Sequence, residues 1–284
     1  DYDFEGSNLS TIIDVLAYNT YINSYNANMI SNEVFIDSAT LRENVVALAR
    51  NIGYTPRSTT AAKAIVSFFV DTSGFTTKPV TLTLKKGVVA TSASVFGSES
   101  YAFAIPSDVT VPIVDGIATF RDVVIYEGTY LTTNFTVSSE NPAPPTKYIL
   151  ENANIDTSTL EVGVRDTQAS TTSKKFVFSD TLIEVTDKSR VYFLQEIEDQ
   201  RYELIFGDGV FGEALKSLNF IEVSYITSSG SAGNNVSSFT FNGRIADNNN
   251  NLISTGISVL TTVNSSTGGK EIESGDSIKR YAPK

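Results

Sequence analysis

The stretch YELIFGDGVFGEAL, Tyr202–Leu215, decides between two folds. Gly207, Gly209 and Gly212 spell G-x-G-x-x-G directly after a strand-like run. That is the spacing of a dinucleotide-binding loop in a parallel α/β sheet. Such a loop needs a helix behind it, whose N-terminus holds the pyrophosphate. Here only Glu213 to Leu218 separates Gly212 from the next strand-like run, Phe220–Tyr225. That is under roughly two helical turns, too short to cross back over a parallel sheet. The acidic residue due about 20 positions on, to grip a ribose, is also missing; around Ser229 the chain offers Ser, Gly and Ala. The alternative is a turn. Tyr202, Leu204 and Phe206 point one way from a strand, and Asp208-Gly209 reverses the chain with the positive φ that glycine tolerates. Gly207 and Gly212 let backbones approach closely on either side. Gly207, Asp208, Gly209 and Gly212 therefore read as a structural turn, with no cofactor. The segment D-G-V-F-G also lacks the alternating acidic ligands of a calcium loop, so no metal is expected.

With that loop read as a turn, its surroundings read as antiparallel β structure. From Ala61 onward, short β-prone runs alternate with turn residues. AIVSFFV, VTLTL, YAFAI, VTVPIV, IATFRDVVIY and LTTNFTV come first. TLEVGV, KKFVF, LIEV, RVYFLQEI, RYELIF, FIEVSYI and SSFTF follow. Asp115-Gly116 between VPIV and IATF is a hairpin signal, while Pro106 and Pro112 mark strand ends or edges. The proline-rich ENPAPPTK, Glu140–Lys147, reads as a stiff connector and the best internal boundary. ADNNNN, Ala246–Asn251, reads as a loop.

Before residue 60 the pattern is helical. Leu41, Val45, Leu48 and Ile52 share one helix face. Thr40 with Glu43 forms a capping-box signature, Gly53 supplies the stop and Pro56 prevents resumption. In the preceding stretch Ser7 is a plausible N-cap. Leu9, Ile12, Ile13 and Leu16 lie on one side of a helix, whereas Tyr18, Tyr21, Ile22, Tyr25 and Met29 lie on the opposite side. The apolar face changes sides near Ala17. Either the helix breaks there or two different bodies cover it. The second set is the candidate partner interface, since aromatic-rich surfaces are common at interfaces. The expected class is α+β: an N-terminal helical segment followed by two mainly antiparallel β domains. The expected divisions are a helical region at 1–60, a first β domain at 61–145, a second at 146–245, and a linker at 246–284.

Composition removes several classes of function. The 284 residues carry a net charge of −11 and contain no His and no Cys. Ser-His-Asp and Cys-His nucleophilic sites cannot be built, ordinary zinc sites lose their best ligands, and a disulfide framework is excluded. Without clustered Lys and Arg, nucleic acid and anionic membrane surfaces are unexpected partners. No apolar run approaches the roughly 18 residues of a membrane span. The chain opens on Asp1, so its natural start is expected upstream. One enzymatic reading remains. Glu196 and Glu198 would share a strand face roughly 7 Å apart, as a glycosidase pair requires, although they lead into EDQR, where exposed charges are ordinary. A glycan-binding β module using exposed tyrosines is a further alternative.

Several stretches together resemble the baseplate J-like family, the wedge proteins of contractile-tailed phage baseplates. The block from Asp1 to Ser58 looks like the start of the family's shared region. YELIFGDGVFGEAL followed by NFIEVSYITSSGSAGNN is similar to its central signature, and TGGKEIESGDSIKRYAPK, Thr267–Lys284, to the segment introducing its C-terminal domain. The resemblance implies a structural, non-enzymatic virion component located in the tail baseplate and assembled in the host cytoplasm. It implies partners among other wedge proteins and further copies of itself: a homodimer within each wedge, and wedges joined into a ring around the central hub that rearranges when the sheath contracts. It also implies that the linker at 246–284 leads to a C-terminal domain that this sequence lacks, and that binding runs through N-terminal helices; the switch of apolar face in Asn8–Ile30 suits that, with one side for its own chain and the other for a partner.

Overall fold

The computed structural model of the protein describes residues 8–92, 100–138 and 147–282. It divides into two compact units, Asp1–Arg57 with Glu273–Lys284, and Ser58–Ile272. The class is α+β, as expected. The expected N-cap Ser7 lies outside the described residues.

The first unit holds α1 (Asn8–Glu33), α2 (Arg42–Asn51) and, from the far end of the chain, α3 (Gly275–Tyr281). The segment expected as a linker thus supplies a core helix. Val45, Val46 and Ala49 of α2 pack with Ala39, Ile278 and Ala282. The buried face is rotated from the expected stripe, and Leu41 and Ile52 stand exposed at its ends. The cap also differs from expectation. Leu41 is the N-cap and makes no side-chain cap bond. Instead Glu33, at the end of α1, accepts from the Thr40 and Leu41 amides, the Thr40 hydroxyl and Asn44. The far end closes as the sequence suggested. Gly53 takes φ 82, with Gly53 N–H donating to the Arg50 carbonyl and Tyr54 N–H to that of Ala49, a Schellman stop. Buried Glu273 ties α3 to this turn, accepting from Tyr54 Oη at 2.8 Å, the Arg57 amide at 3.0 Å and Ser277 Oγ at 2.8 Å. Arg42 donates to the Glu273 carbonyl.

The second unit is built from strands. The first six are β1 (Lys63–Asp71), β2 (Thr81–Leu84), β3 (Gly87–Ser92), β4 (Ala102–Ile105), β5 (Val109–Val114) and β6 (Ile117–Glu127). Next come β7 (Thr129–Thr136), β8 (Tyr148–Leu150), β9 (Ile155–Arg165), β10 (Ser173–Phe178), β11 (Val191–Glu196), β12 (Tyr202–Phe206) and β13 (Phe220–Thr227). The last are β14 (Phe239–Phe241), β15 (Ile245–Asp247), β16 (Leu252–Ile253) and β17 (Thr261–Thr267). One sheet runs β14-β3-β4-β6-β5-β2-β15-β16, with β1 between β6 and β17; the other runs β7-β13-β9-β10-β11-β12-β8. Among the described residues, every pairing between these strands is antiparallel except β10 with β11. The β5–β6 turn is the expected hairpin, with Asp115 at φ 50 and Gly116 at φ 80.

The two β domains are therefore not successive. Strands β7–β13 form an insertion between β6 and β14, and β14–β17 return to the first sheet. This corrects three expected boundaries. The second sheet begins at Thr129, it ends before residue 239, and residues 246–282 pair and pack instead of linking. Residues 140–146 of the proline-rich stretch lie outside the described residues, but β7 and β8 on either side belong to one sheet. The reason for the return lies in side chains. Phe239 and Phe241 fill the first core, Phe239 edge-on to Phe103 at 4.9 Å and Phe241 against Phe68 at 5.1 Å. Phe68 in turn stacks on Phe120 at 4.7 Å. Such contacts bury large apolar surfaces far apart in sequence. The second core gathers Leu150, Val162, Phe176, Leu204, Ile221 and Tyr225.

Three carboxylates hold the insertion against the first sheet. Glu127, 2% exposed at the end of β6, accepts from Ser228 Oγ at 2.7 Å and the Ser229 amide at 3.0 Å. Buried Asp156 of β9 accepts from the Ala61 amide at 2.8 Å. Glu222 of β13 bridges Lys86 and Arg165, each at 3.2 Å. At the crossover itself Gly128 has φ +130, and a Cβ there would stand 2.2 Å from the Thr227 carbonyl oxygen.

Candidate functional site

α1 is a single unbroken helix of 26 residues, about 39 Å long. Of the two readings at Ala17, a break or two covering bodies, the helix does not break. Its sequence is weakly helical by itself. Asn, Thr, Tyr and Ile are poorer formers than Ala, and neither end carries a helpful charge in its terminal turn. Thr20 bonds back to the Leu16 carbonyl at 2.8 Å, a polar distraction more than a support. Burial supplies no compensation. Tyr18 is 68% and Tyr21 67% exposed, Tyr25 and Met29 are exposed, and Ile22 is half-buried. Ile12, Ile13 and Leu16, expected to face the chain's own body, are exposed as well. Both apolar sides of the helix are thus uncovered. Asp14 and Glu33 are its only charged residues, so the helix offers partners an almost uncharged surface of tyrosine, asparagine and aliphatic groups.

The second feature is the turn after β12. Asp208 Oδ1 accepts from the amides of Val210 and Phe211, each at 2.9 Å. Gly209 N–H donates to the Gly212 carbonyl at 3.0 Å, Gly212 N–H to that of Thr186 at 3.0 Å, and Glu213 N–H to that of Ser189 at 2.8 Å. A Cβ on Gly207 would lie 2.3 Å from the Gly212 carbonyl carbon, so the two backbones touch. The amides that a phosphate would need are already given to a carboxylate. The Phe211 and Val210 amides hold that carboxyl below its ordinary value, so a negative charge sits where a phosphate would have to bind. The turn's tip is apolar: Val210 is exposed and Phe211 is 47% exposed. The segment bonded to it, residues 180–190, contains LIEV, expected as a strand. It folds as a turn instead, with Val185 N–H donating to the Leu182 carbonyl, which leaves Leu182 exposed and Ile183 78% exposed. Sequence reasoning missed this tip. The available signal was a Val-Phe pair between turn glycines, where polar residues are usual.

The proposed carboxylate pair is not built on one strand. Glu196 ends β11, whereas exposed Glu198 opens a 3-10 turn, Glu198–Gln200. A cleft of about 480 Å³ beside the sheet junction is lined by Tyr101, Asn152, Asn154 and Glu127 among others. Its carboxylate is Glu127, already engaged by Ser228 and Ser229. Among the described residues, no group of three or more acidic side chains is placed to hold a metal ion, and no helix is long and apolar enough to cross a membrane.

Comparison with known proteins places these features in context. Residues 1–54 match the family described as baseplate wedge protein gp6-like, helical domain. The chain is 25% identical over 257 residues to baseplate wedge protein gp6 of Enterobacteria phage T4. The match covers 85% of this chain and 37% of that protein, so the chain spans little more than a third of its relative's length.

Proposed function

We propose, from its kinship with the gp6-like baseplate wedge proteins, that this chain is a structural component of a phage tail baseplate wedge. It works by binding other baseplate proteins and not by catalysis. Its place is the virion tail baseplate, reached by assembly in the host cytoplasm. Further copies of the chain, paired within a wedge and joined into a ring, complete the reading.

The observation that carries the proposal is the uncovered helix α1, which lies inside the family match. A lone helix of weak formers is marginal in water, and its exposed tyrosines and aliphatics are the material of interfaces. Each large apolar side chain desolvated there contributes roughly 1.5–3 kcal/mol. Tyr18, Tyr21, Ile22, Tyr25 and Met29 form one seam, and Ile12, Ile13 and Leu16 offer a second on the other side, so two neighbours can grip the helix. The test is Tyr21→Asp with Tyr25→Asp in the full-length protein. The expected outcome is loss of co-purification with other wedge proteins and an unchanged melting temperature. Normal co-purification of the double variant overturns the assignment.

A further inference from the structure

We propose that Val210 and Phe211, exposed at the tip of this turn, and Leu182 and Ile183, exposed on the segment hydrogen-bonded to it, act together as a second docking knob. Its occupant is a different protein that presents an apolar pocket rimmed by Lys and Arg. This surface lies in the other unit from α1, and seeking its partner among baseplate proteins rests on the function proposed above.

Three observations carry it. First, the tip is rigid. The Asp208 carboxylate and the Gly207–Gly212 contact brace the turn internally, and the carbonyls of Thr186 and Ser189 fix it to its neighbouring segment. A knob held in its binding conformation loses little entropy on docking. Second, the turn spends its polar backbone groups internally and sends apolar side chains outward. A fold built only to reverse the chain would place polar residues there. Third, the charge around the knob is one-sided. The segments 180–190 and 207–213 carry five carboxylates, Asp180, Glu184, Asp187, Asp208 and Glu213, against Lys188 and Arg190, and Arg190 is paired with Glu213 at 3.0 Å. A second copy of this chain, at net charge −11, would meet like charge, and an anionic lipid surface would too. A basic rim around an apolar pocket is the complement.

The test places a photo-cross-linker in the full-length protein within assembled tails, as Phe211→p-benzoylphenylalanine. Tyr21→p-benzoylphenylalanine in α1 serves as the companion probe. The expected product at position 211 is a cross-link to a chain of another protein, on a peptide where Lys or Arg flanks apolar residues. With that partner purified, Phe211→Ser and Ile183→Ser should each weaken binding about tenfold or more. Asp187→Lys should weaken it further at low salt than at high salt. A cross-link from 211 to a second copy of this chain overturns the proposal. So does silence at 211 while position 21 cross-links, an outcome that leaves the α1 reading standing. Silence at both positions sinks the two together.

Discussion

Glu33 shows how a single side chain can join two helices. Its carboxylate accepts from the Thr40 and Leu41 amides just ahead of α2 and from the Asn44 side chain within it, and lies at the positive end of the helix dipole. Hydrogen bonds from Thr40 and Asn44 lower its pKa from 4.5 to about 2. The folded value is depressed, so the stabilisation is complete above the unfolded pKa and fades as pH falls from about 4.5 towards 2. Glu273 works in the same direction: burial raises its carboxyl, but the Arg57 amide, Ser277 and Tyr54 outweigh that and hold it below its ordinary value. The melting temperature of Glu33→Gln should therefore lie below that of the parent at pH 7, and the two should converge near pH 2; a gap that persists unchanged into acid would refute the capping role. The glycine pair at the β12 turn gives a second test. Gly207→Ala drives a methyl into the Gly212 backbone and should cost about 1–3 kcal/mol by overpacking, read from denaturant midpoints. Spacing alone made that turn legible. The Glu33 contact was hidden because its acceptor and its donors sit on different elements, and the nearer Thr40–Glu43 pattern offered a local substitute.

At the scale of elements, what the sequence made readable was periodicity, and what it left unreadable was pairing. The stop of α2, the β5–β6 hairpin and most strand positions follow from local patterns. LIEV has strand composition but folds as a turn, with Val185 N–H donating to the Leu182 carbonyl, while Thr186 and Ser189 just after it give their carbonyls to the glycine turn. The switch of apolar face in α1 was legible. That neither face is covered was not, because exposure depends on what packs nearby. The contrast between exposed and buried aromatics can be measured. Phe120→Ala, in the stacked pair with Phe68, should destabilise by about 3–5 kcal/mol. Tyr21→Ser, on the open helix, should change stability of the isolated chain by no more than about 0.5 kcal/mol. Comparable losses from the two would mean that α1 is already packed within its own chain.

For the whole molecule, the decisive arrangement is an inserted sheet within a sheet, with the chain's last helix returning to pack on α2. Successive domains were the simpler reading of a linear string of strands. The return of β14–β17 depends on Phe239 and Phe241 meeting Phe68 and Phe103, contacts too distant in sequence for any local pattern to announce. Because the insertion joins the first sheet through two crossovers, the carboxylates at the junction set how firmly it is held. Glu127→Ala leaves the Ser228 hydroxyl and Ser229 amide without their acceptor and should cost about 1–3 kcal/mol. Hydrogen exchange should quicken around residues 127–129 and 228–230 while the interior of β9 stays protected. The central claim is that α1 exists to be covered by other chains. Imaging of assembled tails at side-chain resolution tests it most directly. The account expects repeated copies of this chain around the central tube, with Tyr18, Tyr21 and Tyr25 buried against neighbouring proteins. Copies in which those tyrosines still face solvent, or particles in which the chain is absent, would contradict it.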